Sequence, residues 1–237
     1  MIKATKLQEE YRRHLNRRNS SYAKAISVAD GDAYLNAAID LIYENLVIKF
    51  ETTDLIRNHL RILQEEESII VEKIDENRSR ISLPEDYYKL LRARAHVCKG
   101  KCEKYIDIQV VQTSDINKTL KDPFWKPSFE WERLFGKEMG DYFILYHNCD
   151  FNPKEVEFEY LRKIKHIATP SLTPNGSYIN SEGVIINQNQ NFEIDSTSLW
   201  LRVAKLAAVM TLNDMGDVQD FQSQMQELLA IDKMFLT

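Results

Sequence analysis

The chain contains 237 residues, which suffices for one large domain or two small ones. Its composition, 43% hydrophobic and 28% charged, is ordinary for a globular protein and indicates neither a collagen-like, a coiled-coil nor a wholly disordered chain. The net charge of −5 argues against a dedicated nucleic-acid binder with a basic surface.

Neither a secretory leader nor a membrane span is predicted. The residues after Met1 include no apolar stretch of the kind that a signal peptide needs. The most apolar segment runs from Leu199 to Leu212, but Arg202 and Lys205 interrupt it. Three cysteines are an odd number and too few for a disulfide scaffold. We therefore expect synthesis in a reducing cytosol.

The chain opens with a basic segment, residues 1–29, that contains a predicted amphipathic helix. Leu7, Tyr11 and Leu15 recur every four residues, and arginines occupy the remaining face. Seven basic and two acidic residues give the segment a net charge of +5. It can bind DNA phosphates, dock on an acidic neighbour or remain a solvated helix. Docking is favoured because the rest of the chain is acidic, and the candidate interface residues are Arg12, Arg13, Arg17 and Arg18.

Two more helices are predicted in residues 30–66. The sequence Asp30-Gly31-Asp32 offers caps for a helix at about residues 32–49. Thr52 or Thr53 can cap a third, short helix that ends near Leu63. This opening part of the chain is therefore predicted to be helical throughout.

Residues 67–168 are predicted to be rich in β-structure, because the hydrophobic period changes to two. Leu91, Ala93, Ala95 and Val97 alternate strictly with polar residues, and a tight turn at Cys98–Cys102 follows. The predicted elements are a hairpin at 70–74 and 78–83, strands at 91–97 and 105–111, a short helix at 114–120, and paired strands at 142–147 and 155–165.

An aromatic-rich segment at residues 122–136 joins these strands. It contains two prolines and five aromatic residues in fifteen positions. Such a segment forms either a local mini-core or an anchor between subunits, since aromatic side chains dominate interface energetics. The candidate interface residues are Phe124, Trp125 and Trp131.

Three carboxylates form a row on one predicted strand face. Glu155, Glu157 and Glu159 alternate with Val156 and Phe158, so the strand has one buried and one open face. The plainest interpretation is a face turned to solvent. In a ring, the same row is a candidate lining of the lumen, where negative charge would keep DNA from adhering.

The closing part of the chain begins with a polar loop, residues 169–194. A loop of this length is unusual in a compact domain, and we expect an extended arm with a small hairpin across Ser181-Glu182-Gly183. Residues 195–235 then form two predicted helices, with Gly216 at the C′ position of the first and Asp217 as the N-cap of the second.

No metal, cofactor or catalytic site is predicted. The only grouping with ligand chemistry is Cys98, Cys102, His147 and Cys149, whose spacing differs from the doubled cysteine pairs typical of zinc sites. The five histidines show no pairing with a nucleophile, and the seven glycines form no phosphate-binding cluster. We therefore expect that the protein is not an enzyme.

The order of these elements resembles that of the head-to-tail connector proteins of tailed bacteriophages. It is similar to the tail-tubular or adaptor class of short-tailed phages and to the ring proteins of crAss-like phages. The resemblance spans roughly residues 30–235. It rests on the helix Asp32–Lys49, the entry Leu83-Pro84-Glu85-Asp86-Tyr87-Tyr88, the hairpin 142–166 and the Gly216-Asp217 junction.

The resemblance implies an α+β fold, in which a helical bundle formed by the N- and C-terminal helices carries an inserted antiparallel β region and long arms. It implies a virion protein that forms a closed ring of twelve copies between portal and tail. Its partners would be the portal, other ring or tail proteins, and genomic DNA passing through the lumen without sequence-specific contact; no membrane is involved. The alternative is a cytosolic DNA-associated or regulatory protein that uses the basic N-terminal segment.

Overall fold

The computed structural model describes residues 2–16 and 22–235. Two of the predicted interface residues, Arg17 and Arg18, lie outside this part of the chain. The chain divides into two compact units. The helical unit comprises Met1–Ile62 and Ile164–Thr237, and the sheet unit comprises Leu63–Lys163.

Helices predominate at the two ends of the chain, and strands predominate in the middle. The helices are α1 (Ala4–Leu15), α2 (Tyr22–Ala25), α3 (Val28–Ile48), α4 (Asp54–Leu60), α5 (Ile116–Lys121), α6 (Thr197–Asp214) and α7 (Val218–Phe235), with 3₁₀ turns at Arg61–Leu63 and Pro170–Leu172. The strands are β1 (Gln64–Ile70), β2 (Glu72–Lys73), β3 (Arg78–Ser82), β4 (Tyr87–Lys99), β5 (Cys102–Val110), β6 (Leu134–Met139), β7 (Tyr142–Tyr146), β8 (Asn152–Arg162), β9 (Tyr178–Ile179) and β10 (Ile185–Ile186).

The helical unit is organised around α6, which packs against α1, α3 and α7. The predicted apolar stripe of α1 forms part of this core, because Leu7, Tyr11 and Leu15 are almost completely buried. The hydroxyl of Tyr11 is 2.9 Å from Oγ1 of Thr211 on α6, and burial raises the pKa of Tyr11 to about 12. Helix α1 is thus held by packing along its whole length.

Helix α3 begins four residues before the predicted start. Ser27 is its N-cap, with Oγ accepting a 3.1 Å hydrogen bond from the backbone N–H of Asp30. Asp32 was predicted as a cap, but it lies within the helix and is buried. The junction between α6 and α7 agrees with the prediction, since Gly216 adopts a φ of +75°.

The sheet unit contains one eight-stranded sheet with the order β1-β8-β4-β5-β6-β7-β3-β2. Neighbouring strands are antiparallel except β5 and β6, which run parallel. A parallel pair needs a crossover connection. Helix α5 and the aromatic-rich segment provide it, which explains why residues 111–133 leave the sheet.

The predicted fold class, an α+β helical bundle with an inserted antiparallel β region and long arms, is therefore wrong. The chain has a mixed α/β structure with a large, curled, mixed sheet. The predicted pairing of the strands at 142–147 and 155–165 is also wrong. Strand β7 pairs with β6 and β3, whereas β8 lies between β1 and β4. The sequence located both strands, but their patterns contain no information about their partners. Two other strands were missed: β1 begins at Gln64, within residues 30–66 that were predicted to be helical throughout, and β6 begins in the aromatic-rich segment.

The core of the sheet unit is made by the apolar sides of the alternating strands. It includes Phe143, Phe158 and Tyr160, and the ring of Phe158 contacts the other two rings. Gly136 on β6 lies against this cluster. A Cβ at this position would be 2.3 Å from the ring of Phe143, so that only glycine fits.

The segment predicted as an extended arm is anchored to the helical unit. The backbones of Ala168 and Gln190 form an isolated β-bridge, and Ile2 and Phe192 form another. Strands β9 and β10 make the small hairpin that the sequence predicts. Its turn has the backbone of Gly183 at a φ of +79°.

Candidate functional site

The predicted carboxylate row lies on the open face of the sheet. Glu155, Glu157 and Glu159 are half-buried on β8, while Val156 and Phe158 between them point into the core. The neighbouring strands place polar and basic groups beside the row. Arg94 on β4 donates to Glu157 at 3.0 Å and Ser68 on β1 donates to Glu155 at 3.2 Å, whereas Arg92 pairs with Asp107 at 2.9 Å. The face is therefore of mixed sign, not uniformly acidic.

At the β4–β5 end of this face, three residues with metal-ligand chemistry converge. His96 and Cys98 are two apart on β4, and Glu103 lies opposite Cys98 on β5. Nε2 of His96 is 3.5 Å from Oε2 of Glu103. Sγ of Cys98 is 3.3 Å from Oε1 of Glu103. We name His96, Cys98 and Glu103 the hairpin cluster.

Lys154 is the cation next to the hairpin cluster. Its Nζ donates to Oε1 of Glu103 at 2.7 Å. This hydrogen bond raises the pKa of Lys154 and is the main reason why the pKa of Glu103 is lowered. The carboxylate is therefore held in its charged form, which is also the form that coordinates metal ions.

The grouping of three cysteines and His147 that the sequence suggested is not assembled. Cys102 is opposite Lys99 and so points to the other face of the hairpin from Cys98. His147 is buried against Ser79, and Cys149 is exposed after β7. Sequence reasoning missed His96 and Glu103. His96 and Cys98 are two apart on β4 and therefore share a face, and the register across the turn places Glu103 opposite Cys98. This pattern would have identified the two residues.

His147 is a buried neutral histidine. Its Nε2 is 2.9 Å from the hydroxyl of Ser79, and its Nδ1 is 3.1 Å from the carbonyl of Asn148. These partners fit a ring in which Nδ1 donates and Nε2 accepts. Burial is the main cause that lowers the pKa of His147.

We expect acid to destabilise the sheet unit through His147. Because its folded pKa lies below the unfolded value of about 6.5, the unfolded chain binds more protons as the pH falls below that value. The free energy of unfolding should therefore decrease between about pH 7 and pH 5. Urea unfolding of His147→Gln should show a shallower decrease than that of the native chain, and equal slopes would contradict the assignment.

The aromatic-rich segment divides into buried and exposed parts. Phe135 is buried and Phe129 packs against the core. Phe124, Trp125 and Trp131 are exposed by 81%, 53% and 74%. The mini-core interpretation therefore applies to Phe135 and Phe129 alone. The other three residues expose aromatic side chains of the kind that protein interfaces use, although Arg133 lies over the ring of Trp125.

The two described N-terminal arginines are engaged within the helical unit. Arg12 is half-buried, and its Nη2 donates to the carbonyl of Ile26 at 3.4 Å. Arg13 is exposed and pairs with Glu10 at 3.0 Å. Both arginines belong to α1, which is packed against the rest of the helical unit. This packing does not favour the interpretation of the segment as a free DNA-binding arm.

The helical unit has an apolar groove between α3, α4, α6 and α7. Its cavity has a volume of about 340 Å³. Leu41 and Leu55 at its rim are exposed by 45% and 55%. Its apolar lining residues are Leu41, Ile42, Leu46, Leu55, Ile56, Leu199, Leu206 and Leu228, and Asn45, Lys49, His59, Ser198 and Arg202 add polar groups to the lining. We name this surface the helical groove.

The β9–β10 hairpin exposes a second apolar surface of the same unit. Ile179, Val184 and Ile185 are exposed by 63%, 51% and 69%. The base of the hairpin is fixed, because the hydroxyl of Tyr178 donates to Oδ2 of buried Asp32 at 2.6 Å. The hairpin therefore presents its apolar tip from an ordered position. We name the three residues the hairpin tip.

No protein-family model matches the chain. A search of curated proteins likewise finds no match. In the described part of the chain, no helix has the length and apolar character that crossing a bilayer demands.

Proposed function

We propose that the chain is a structural subunit that assembles with copies of itself into a closed ring at the head-to-tail junction of a phage virion. The observation that carries this proposal is the pair of exposed apolar surfaces on the helical unit, the hairpin tip and the helical groove. The setting between portal and tail is taken from the resemblance in element order. The hairpin 142–166 on which it partly rested is not formed, so the setting now depends on helix α3, the segment 83–88 that leads into β4 and the Gly216-Asp217 junction.

The two surfaces are suited to each other in size and chemistry. A volume of about 340 Å³ lies near the lower end of the range of about 300–1,000 Å³ that is typical of ligand pockets. It is suited to a few aliphatic side chains. Burial of a valine or isoleucine side chain contributes about 1.5–3 kcal/mol. The hairpin tip of one copy is therefore the proposed occupant of the helical groove of the next.

A contact between two different surfaces of identical chains is heterologous. Such contacts generate rings when the rotation between neighbours closes and filaments when it does not. The resemblance to connectors favours closure. In this arrangement Phe124, Trp125 and Trp131 provide a further apolar surface for the portal or an adjacent ring, since exposed tryptophans are frequent energetic centres of interfaces.

The first test is the native mass of the protein, measured by light scattering and negative-stain imaging, alone and mixed with the portal protein from the same genome. We expect closed rings alone or upon addition of the portal. A monomer in both conditions would contradict the proposal. A salt-dependent shift of duplex DNA by that monomer would instead support the DNA-associated alternative.

Two single variants test the contact itself. Ile185→Asp and Leu55→Asp should each abolish rings, because a charge is placed in an apolar contact. An equimolar mixture of the two variants retains one intact pair of surfaces and should give heterodimers without rings. The control is Ile70→Asp, which changes an isoleucine on β1 that is exposed by 79% and lies outside both surfaces. This variant should still form rings. Rings in either single variant would refute this contact.

A further inference from the structure

We propose that His96, Cys98 and Glu103, the hairpin cluster, form a binding site for a soft divalent cation, with zinc the best match. The ligand set consists of one imidazole nitrogen, one thiolate sulfur and one carboxylate oxygen. Zinc accepts all three donor types, and three protein ligands leave a fourth position for water. The site is independent of ring assembly.

The distances between the donor atoms fit a tetrahedral ion. Zinc bonds of about 2.0–2.3 Å place neighbouring ligand atoms about 3.3–3.8 Å apart. The distance from His96 Nε2 to Glu103 Oε2 is 3.5 Å, and that from Cys98 Sγ to the other oxygen of the same carboxylate, Oε1, is 3.3 Å. An ion bound through one of these oxygens therefore requires a small rotation of the carboxylate. All three donor atoms lie within 4.8 Å of one another. Small side-chain rotations therefore complete the coordination geometry.

The β4–β5 hairpin holds the ligands in place. Alternation puts His96 and Cys98 on one face, and the register brings Glu103 directly opposite Cys98. The ring of His96 stacks on Tyr105 with centroids 5.0 Å apart. Its Nδ1 lies 3.8 Å from Oε1 of Glu155. This separation is longer than a hydrogen bond, and a small side-chain rotation would bring the carboxylate to the second ring nitrogen, where it would orient a metal-bound histidine.

Lys154 competes with the cation for Glu103. Its ammonium group donates to the oxygen of Glu103 that also faces Cys98. Binding of the metal breaks this hydrogen bond and removes the proton of the Cys98 thiol, which is released to water, while the sulfur forms the bond to zinc. Affinity should therefore increase with pH, and removal of the ammonium by Lys154→Met should strengthen binding.

The test uses the full chain after removal of metals with a chelator. Titration with cobalt(II) should give one bound ion per chain and a thiolate-to-cobalt charge-transfer absorption, and zinc should displace the cobalt. Cys98→Ser should lose this absorption. The matched controls Cys102→Ser and Cys149→Ser, which change the other two free cysteines, should retain it.

Two results would overturn the proposal. One is an absorption that survives Cys98→Ser, since the thiolate would then belong to another cysteine. The other is the absence of the absorption in both the native chain and Lys154→Met, because the second variant has no competing ammonium. Circular dichroism of each variant establishes that a loss of binding does not reflect a loss of folding.

Discussion

Replacement of Asp32 by alanine is expected to lower the free energy of unfolding by about 3 kcal/mol or more, since each buried donor left without a partner costs about 1–3 kcal/mol. The carboxylate is 2% exposed and accepts four hydrogen bonds. The donors are the side chain of Gln8, the backbone N–H and hydroxyl of Thr169, and the hydroxyl of Tyr178, at 2.9, 2.7, 2.9 and 2.6 Å.

The loss should be accompanied by local release of the polar segment. Asp32 joins α1 and α3 to Thr169 and Tyr178, so that this carboxylate fixes the base of the β9–β10 hairpin together with the two β-bridges. Hydrogen exchange of peptides from residues 168–192 should therefore accelerate in Asp32→Ala. The milder variant Tyr178→Phe removes a single donor and should give a smaller effect of about 1 kcal/mol.

Asp40→Ala is the matched control, since Asp40 is a carboxylate on the same helix. Its side chain is 49% exposed and pairs with His166 at 3.0 Å. Exposed pairs of this kind contribute about 0–1 kcal/mol. Urea unfolding compares the variants directly. If Asp32→Ala lost no more stability than Asp40→Ala, the buried network would not be the anchor of the segment.

Gly136→Ala is expected to destabilise the sheet unit by about 3 kcal/mol, at the upper end of the usual cost of overpacking a core. The new methyl group would lie 2.3 and 2.4 Å from ring atoms of Phe143 and 2.7 Å from Cγ2 of Ile108. Phe143 is fully buried and packs edge-on against Phe158, with ring centroids 5.7 Å apart. The ring therefore has no free space into which to move.

Gly140→Ala is a control that measures the cost of backbone strain without overpacking. Gly140 follows the same strand and has a φ of +60°, and a methyl group added to it would point into open space. Its replacement should cost about 1–2 kcal/mol from strain alone. The double variant Gly136→Ala/Phe143→Leu should recover part of the loss, because the smaller side chain relieves the overlap. Additive losses in thermal and urea unfolding would contradict this explanation.

Many of the local elements follow from the sequence. Every-fourth-residue spacing identified α1, strict alternation identified β4 and β8, and Gly216 identified the end of α6. These features depend on residues that are close in the chain, so composition and spacing contain the relevant physics. The hairpin at residues 178–186 was predictable for the same reason.

The start of α3 and the role of Asp32 show where local reasoning failed. An aspartate near a helix start is typical of a cap, yet Ser27 provides the cap. Asp32 instead binds Thr169, which is 137 positions away. Nothing in the neighbourhood of Asp32 distinguishes a cap from a buried acceptor for a distant segment.

By itself, the sequence determined the main helices, the strands β3, β4, β5, β7 and β8, and two turns that need glycine. It missed β1 and β6. Only the tertiary structure decided the order of the eight strands, the parallel pair β5–β6, the anchoring of the polar segment and the convergence of His96, Cys98 and Glu103. The physical reason is that backbone periodicity depends on near neighbours, whereas strand partners and buried networks depend on the joint burial of segments far apart in the chain.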